Sequence, residues 1–319
     1  MNPSEPPVPA PSPPPARLRV GIVGAGRVGA VLGSALARAG HSVVAAAAVS
    51  DASRGRAEML LPGAEIAPPD AVLAAADLVL LTVPDDALAD LVAGLAATGA
   101  VRPGQFLAHT SGRHGLEVLA PAVRCGAHPL ALHPAMTFTG TSLDLGRLTG
   151  AVFGVTAPTV LRPIAEALVV EMGGEPVWVE DEARPLYHAA LAHGANHLVT
   201  LVAEAQDLLR AAGVDDPSRA LAPLLGAALD NALRIGDQAL TGPVARGDAG
   251  TVGAHLGAMA QAEGRLSPDV AAAYRAMARA TADRALADGR LRPQDAEALL
   301  GLLAEPGARG ARGASGAQP

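Results

Sequence analysis

Six residues, Gly24-Ala25-Gly26-Arg27-Val28-Gly29, constrain this chain more than any other stretch: they follow the apolar run Leu18 to Val23 and open an Ala-rich helical segment. The order is strand, glycine turn, helix. Gly24 permits a tight turn, Gly26 lets a pyrophosphate approach the backbone, and Gly29 with Gly33 lets the helix pack close to the strand. Amides at the start of that helix attract anions. A second apolar run, His41 to Ser50, follows, and a glycine turn so placed points to dinucleotide binding. The alternative is a fold that keeps the turn without the ligand.

At 319 residues two domains are expected, each able to bury a core. Half the residues are hydrophobic but only 2% are aromatic, so alanine carries the apolar fraction and close-packed helices are favoured. The positive mean hydropathy is then no membrane signal, and no uninterrupted spanning segment is visible. A net charge of −7 without a basic stripe argues against a nucleic-acid partner. The single cysteine, Cys125, and a proline-rich N-terminus lead to an expected cytoplasmic location. Lysine is absent altogether, which rules out a Schiff-base lysine, a phosphate-loop lysine and a lysine general acid.

Residues 1–16 and 306–319 read as disordered tails. Between them, apolar runs at Arg19 to Val23, Val43 to Val49, Leu78 to Val83, Gln105 to His109, Ala127 to His133, Ala151 to Thr156 and Val177 to Val179 alternate with helical patterns. This succession predicts an α/β domain over 17–180, a doubly wound and mostly parallel sheet. Long Ala/Leu helices follow, at about Pro185 to Ala212, Pro217 to Leu240, Ala249 to Glu263 and Pro268 to Asp288, with a short one from Pro293. They predict an all-α domain over 181–305.

Ligands of such sheets bind at the C-terminal strand ends, so the residues just after each apolar run carry the argument. After the second run, Asp51 suits the ribose hydroxyls of NAD, whereas Ser50, Ser53, Arg54 and Arg56 suit the 2′-phosphate of NADP and outnumber it. NADP is expected, with NAD as the alternative. In the blander reading, Ser50 or Asp51 caps the next helix and the arginines form its solvated face. Val83-Pro84 ends another strand where backbone would meet the cofactor, and Asp85 and Asp86 are expected to cap the helix that follows. His109-Thr110-Ser111-Gly112 and His133-Pro134 to Phe138 end two more strands on the same rim.

Those segments, together with Tyr187-His188-Ala189-Ala190 to Asn196 and Thr241-Gly242-Pro243-Val244-Ala245-Arg246-Gly247-Asp248, come in one order. In that order the chain resembles the Rossmann-like proteins with a DUF2520 C-terminal domain, relatives of the 6-phosphogluconate dehydrogenase-like superfamily that includes pyrroline-5-carboxylate reductases, ketopantoate reductases and prephenate dehydrogenases. The resemblance implies a Rossmann domain, a helical dimerising domain of the 6-phosphogluconate dehydrogenase C-terminal type, and an NADP-dependent oxidoreductase. His133-Pro134 resembles the acid/base of the prephenate dehydrogenase branch, with Ser111 like its neighbouring serine. Asn196 resembles the asparagine of the hydroxyacid branch, but Ala192 stands where that branch has lysine.

A reductase needs a proton donor titrating near neutrality, and histidine fits. The expected catalytic residues are His133, His188, Asn196 and Ser111, with His188, Ala192 and Asn196 on one helical stripe at steps of four. His193 and His197 lack a third ligand candidate and are read as structural, with no metal expected. Arg246 is the candidate clamp for a substrate carboxylate, with Thr241, Asp248 and Asn231 around it; Asp248 either orients Arg246 or caps a helix. Cofactor contacts are expected from Gly24, Gly26, Arg27, Val28, Gly29, Ser50, Ser53, Arg54, Val83 and Pro84. The expected activity is hydride transfer to or from a small carboxylated keto, hydroxy or imino compound, ketopantoate-like by family analogy, in a homodimer. The alternatives are a non-catalytic NADP(H) sensor and, more remotely, a ligand-free scaffold; a deazaflavin cofactor also stays open.

Overall fold

Parallel strands buried on both faces need continuous apolar runs, and Leu78 to Leu81, every residue of which is buried, is the clearest case here. The computed structural model describes residues 17–262 and 264–304; both expected tails lie outside the described residues. The chain divides into two units, at Gly194/Ala195. In the first, β1 (Arg19–Val23), α1 (Arg27–Arg38), β2 (Ser42–Ala47), α2 (Asp51–Leu60), β3 (Glu65–Ile66), α3 (Pro69–Ala75), β4 (Leu78–Leu81), α4 (Asp85–Ala97), β5 (Phe106–His109), α5 (Ala120–Arg124), β6 (His128–Pro134), α6 (Leu143–Arg147), β7 (Val152–Thr156), α7 (Arg162–Glu171), β8 (Glu175–Trp178) and α8 (Arg184–Leu191) follow in turn.

The sheet order is β3-β2-β1-β4-β5-β6-β7-β8. All pairings are parallel except β6 with β7, which run antiparallel, so β7 and β8 point against the rest. Alternate strand residues feed two cores. Ile22, Leu80, Leu132 and Phe153 meet α1 and α7 on one face, while Val79, Leu81 and Leu107 meet α3 and α4 on the other. The order reverses between β1 and β4, which opens a crevice at their C-terminal ends. Two strand details differ from expectation. β2 stops at Ala47, leaving Val49 91% exposed, and the two-residue β3 is too short to leave a periodic signal.

The second unit holds α9 (His197–Ala211), α10 (Pro217–Ile235), α11 (Gly242–Ala245), α12 (Ala249–Gln261), α13 (Asp269–Ala287) and α14 (Pro293–Leu303). Asp216 and Asp248 start α10 and α12 by accepting hydrogen bonds from the Arg219 and Thr251 amides. Val252, Ala282, Ala285 and Leu299 centre its core. Between α8 and α9, residues Ala192–Asn196 form a π turn where an unbroken α-helix was expected. Among the described residues no helix is long and apolar enough to cross a membrane.

Candidate functional site

The glycine turn sits at the crevice. Gly24 adopts φ +99°, a left-handed conformation, and its amide and that of Ala25 donate to the Ala47 carbonyl at 3.1 and 2.9 Å, tying the turn to β2. On the β4 side the Thr82 hydroxyl donates to the Gly24 carbonyl at 2.6 Å. Gly29 is closed in: a methyl group there would lie 2.3 Å from Thr82 Oγ1 and 2.4 Å from the Gly24 carbonyl oxygen. At Gly26 the nearest atom to such a methyl is 3.9 Å away. Among the described residues no close contact calls for glycine at 26, and the space above it is open. The cradle fits a dinucleotide, with Arg27 and Val28 opening α1 beside it.

At the end of β2 the serines are spent on the backbone. Ser50 caps α2, its hydroxyl accepting from the Ser53 amide at 3.2 Å, and the Ser53 hydroxyl donates to the Ser50 carbonyl at 2.7 Å. Arg54 reaches back to Asp51 at 3.2 Å. The capping alternative thus describes Ser50 and Ser53. Val83 and Pro84 follow β4, with Pro84 itself at the N-cap of α4. Asp85 lies in the first turn and makes an ion pair with Arg113 at 3.3 Å; it is no side-chain cap.

Three elements converge on the rim of β5 to β7. His133, closing β6, has Nδ1 2.9 Å from the Tyr187 hydroxyl on α8, and the two rings stand edge to face. His188, half-buried, stacks edgewise on His133 with ring centres 5.9 Å apart. Both imidazoles cover Gly112, where a methyl would meet His188 Cδ2 at 2.5 Å and His133 Nε2 at 2.9 Å. Burial, then the nearby Arg184 guanidinium and His188, depress His133 to about 4. His133 is therefore neutral at pH 7. The expected donor titrates near neutrality, and His133 lies below that range.

Arg184 and Tyr187 were not among the expected site residues, yet Tyr187 lies against His133 and Arg184 against the Ser111 loop. Arg184 is fully buried at the start of α8; it donates to the Ser111 carbonyl at 2.6 Å and the Thr156 hydroxyl at 2.9 Å, and its Nε has no partner among the described residues. It pins the Ser111 loop to β7. Ser111 is itself buried, and its hydroxyl accepts from the His114 amide at 3.1 Å, so it acts locally as a turn anchor. The Tyr187 phenol is pushed up by burial, with Arg184 opposing that shift. An arginine beside a proline at a helix start carries no sequence signal of burial.

His109 is a structural imidazole. The Ser111 amide donates to its Nδ1 at 3.2 Å, which leaves Nε2–H to donate to the Gly115 carbonyl at 3.0 Å, and burial lowers it to about 3. His109 and His133 together set a pH dependence. Unfolded histidines take up protons below about pH 6.5, while these two stay neutral in the folded protein until about 3 and 4, so stability falls as the pH drops. We expect a loss on the order of 4 kcal/mol between pH 7 and 4.5. Urea midpoints across that range check it, and a flat profile would contradict it.

Of the remaining residues singled out by sequence, all but His193 lie in the second unit. The π turn adds a residue to one helical turn, so the four-residue stripe through His188, Ala192 and Asn196 does not hold across it. Asn196 is exposed, as are Asn231 on α10 and Thr241 and Arg246 flanking α11. Asp248 serves as a cap, its carboxylate accepting from the Thr251 amide at 2.9 Å, and that bond together with the Thr251 hydroxyl lowers its pKa. His193 and His197 are exposed.

Comparison with known proteins agrees with this architecture. A Rossmann-like domain model matches residues 5–134, and a domain of unknown function, DUF2520, matches residues 151–281. No curated protein sequence matches. Among solved structures, a Bacteroides fragilis protein provisionally named an NADP oxidoreductase superposes with a TM-score of 0.69 at 22% identity, over 84% of this chain and 98% of its own. An imine reductase from Myxococcus stipitatus in complex with NADP+ gives 0.64 at 17% identity, covering 88% and 99%. A reductive aminase from Aspergillus terreus in complex with NADPH and ethyl-5-oxohexanoate gives 0.61 at 20% identity, covering 86% and 95%. At these identities the likeness establishes the fold.

Proposed function

We propose that this chain, a Rossmann-like protein carrying a DUF2520 domain, is an NADP-dependent oxidoreductase that reduces, or in reverse oxidises, a small carboxylated keto, hydroxy or imino compound. The observation that carries the reading is the Tyr187–His133 hydrogen bond on the rim that also bears the open glycine cradle. Gly24, Gly26, Arg27, Val28 and Gly29, with Val83 and Pro84, would hold the dinucleotide, which supplies a hydride when bound. The NADP-bound neighbours support that cofactor.

The chain's own residues then manage the proton. We assign Tyr187 O–H as the donor to His133 Nδ1, which places the remaining imidazole proton on Nε2, the atom against Gly112. As negative charge builds on the substrate oxygen or nitrogen, Nε2–H gives up its proton and Nδ1 accepts that of Tyr187. The imidazole stays neutral throughout, which suits a histidine held at about 4. Burial pushes the Tyr187 phenol up, and the buried Arg184 charge opposes that push as the tyrosinate forms. His188 flanks the same face and orients His133. Arg246, exposed on the turn after α11, is suited to a substrate carboxylate, with Thr241 and Asn231 as further polar candidates.

The test is consumption of NADPH by the full chain with 2-keto acids, alone and with ammonia or a primary amine. Turnover with a carboxylated carbonyl or imine is expected. Tight nucleotide binding without turnover on any acceptor would favour the sensor instead. We also propose a homodimer. Helix α9 has no buried residue and α10 only Pro217, yet Val199, Leu224 and Leu233 are 70%, 65% and 79% exposed. Light scattering should give twice the 31.8 kDa chain mass, and a monomer would refute the assembly.

A further inference from the structure

The nucleotide reading leaves open which side chains tell a 2′-phosphate from a 2′-hydroxyl. Three of the residues singled out by sequence are already engaged: Ser50 and Ser53 with each other and the α2 backbone, Arg54 with Asp51. Asp51 keeps an exposed carboxylate there, which disfavours a phosphate on that side.

Two other arginines meet nearby. Gly140, a buried residue at φ +80° in the turn before α6, has a face on which an added methyl would lie 2.9 Å from Arg56 Nε and 3.0 Å from Arg27 Cγ. Arg27 opens α1 and Arg56 lies on the second turn of α2, so the close approach is made by tertiary structure alone. Neither guanidinium has an ion-pair or hydrogen-bond partner among the described residues. The two side chains approach one point on the Gly140 face, and an anion there is within reach of both and is held by charge-assisted hydrogen bonds.

The platform beneath them is fixed. Asp144, fully buried, accepts from the Thr139 amide at 2.8 Å, the Thr139 hydroxyl at 2.9 Å and the Gly140 amide at 2.7 Å. These bonds outweigh burial and hold its carboxyl below the usual range, so the anchor is ionised and the turn is rigid. A rigid turn pressed against both arginine stems restricts their rotamers before any ligand arrives, which lowers the entropic cost of binding.

We propose that Arg27 and Arg56, aligned over Gly140, form the 2′-phosphate subsite of the nucleotide pocket and give this chain its preference for 2′-phosphorylated adenosine. Arg54 and the two serines take no part in that preference. The inference rests on the proposed nucleotide function, and the experiment separates the two.

Full-length protein is titrated by calorimetry with 2′,5′-ADP, 5′-AMP, NADPH and NADH, as wild type and as Arg27→Ala, Arg56→Ala and Arg54→Ala. Wild type is expected to prefer the 2′-phosphorylated member of each pair. Arg56→Ala should weaken 2′,5′-ADP binding by about tenfold or more while leaving 5′-AMP within about twofold, the signature of one lost charge-assisted contact, and Arg27→Ala should lower the ratio of 2′,5′-ADP to 5′-AMP affinity by a similar factor. Preference retained in both variants, or lost only in Arg54→Ala, overturns the subsite. Equal wild-type affinity for NADPH and NADH overturns it too and leaves the nucleotide reading standing. Failure of the wild type to bind any of the four removes both.

Discussion

Replacing Tyr187 by phenylalanine is expected to lower kcat by about 10²- to 10³-fold while leaving KM within about threefold, because it removes the proton source and no binding contact to substrate. The hydroxyl lies 2.9 Å from His133 Nδ1. Without it, Nδ1 is free to carry the imidazole proton, and the Nε2–H that faces Gly112 is no longer enforced. Burial holds His133 at about 4, so an imidazolium is scarce at pH 7 and offers no substitute acid. The folded protein should tolerate the change, since a half-buried hydroxyl contributes about 1 kcal/mol. Steady-state kinetics on the substrate found in the acceptor screen, with a melting curve as control, decide the matter. A kcat within about threefold of wild type would refute the relay and move attention to His188.

Two glycines of the same turn should respond oppositely to one added methyl. In Gly26→Ala the methyl finds its nearest neighbour at 3.9 Å, so the melting temperature should change by no more than a few degrees, while nucleotide affinity should fall by about 100-fold as the methyl enters the phosphate site. In Gly29→Ala the methyl meets Thr82 Oγ1 at 2.3 Å and the Gly24 carbonyl oxygen at 2.4 Å. Neither atom can yield without lifting α1 from β1 or breaking the 2.6 Å bond from Thr82 to Gly24. Overpacking of this kind costs about 1–3 kcal/mol, so Gly29→Ala should lose stability even without ligand. Calorimetric melting of both variants with and without NADPH separates the two roles. Equal destabilisation of the two apo proteins, or an intact nucleotide affinity in Gly26→Ala, would contradict the assignment.

Much of the first unit was legible because its signals are local. Continuous apolar runs such as Leu78 to Leu81 mark buried parallel strands, and Gly24 marks a turn only glycine makes cheaply. Helix starts at Pro217, Ala249 and Pro293 were equally plain, since a proline or an acidic cap acts within one turn. Less legible was the π turn at Ala192–Asn196, because nothing in Ala-His-Gly-Ala-Asn distinguishes one extra residue per turn from an ordinary helix. The reversed direction of β7 escaped for a similar reason: a buried strand reads alike in either direction.

The site divides along the same line. His133, His188 and the glycine cradle stood at strand or helix ends where sequence alone could place them. Their chemistry did not follow from that placement, because protonation depends on neighbours far apart in the chain: Arg184 and Tyr187 lie more than fifty residues beyond His133; burial and Arg184 hold it neutral and Tyr187 sets its hydrogen bond. Likewise Ser50 and Ser53 suit a phosphate by type but are hydrogen-bonded within the start of α2, and Arg54 pairs with Asp51, while Arg27 and Arg56 approach one another only through Gly140. Sequence by itself determined the elements and the turn that binds, through hydrogen bonds and apolar periodicity that act over a few residues. Tertiary structure alone decided which side chains are charged, which are already engaged and which converge, since burial and long-range contact are properties of the packed chain.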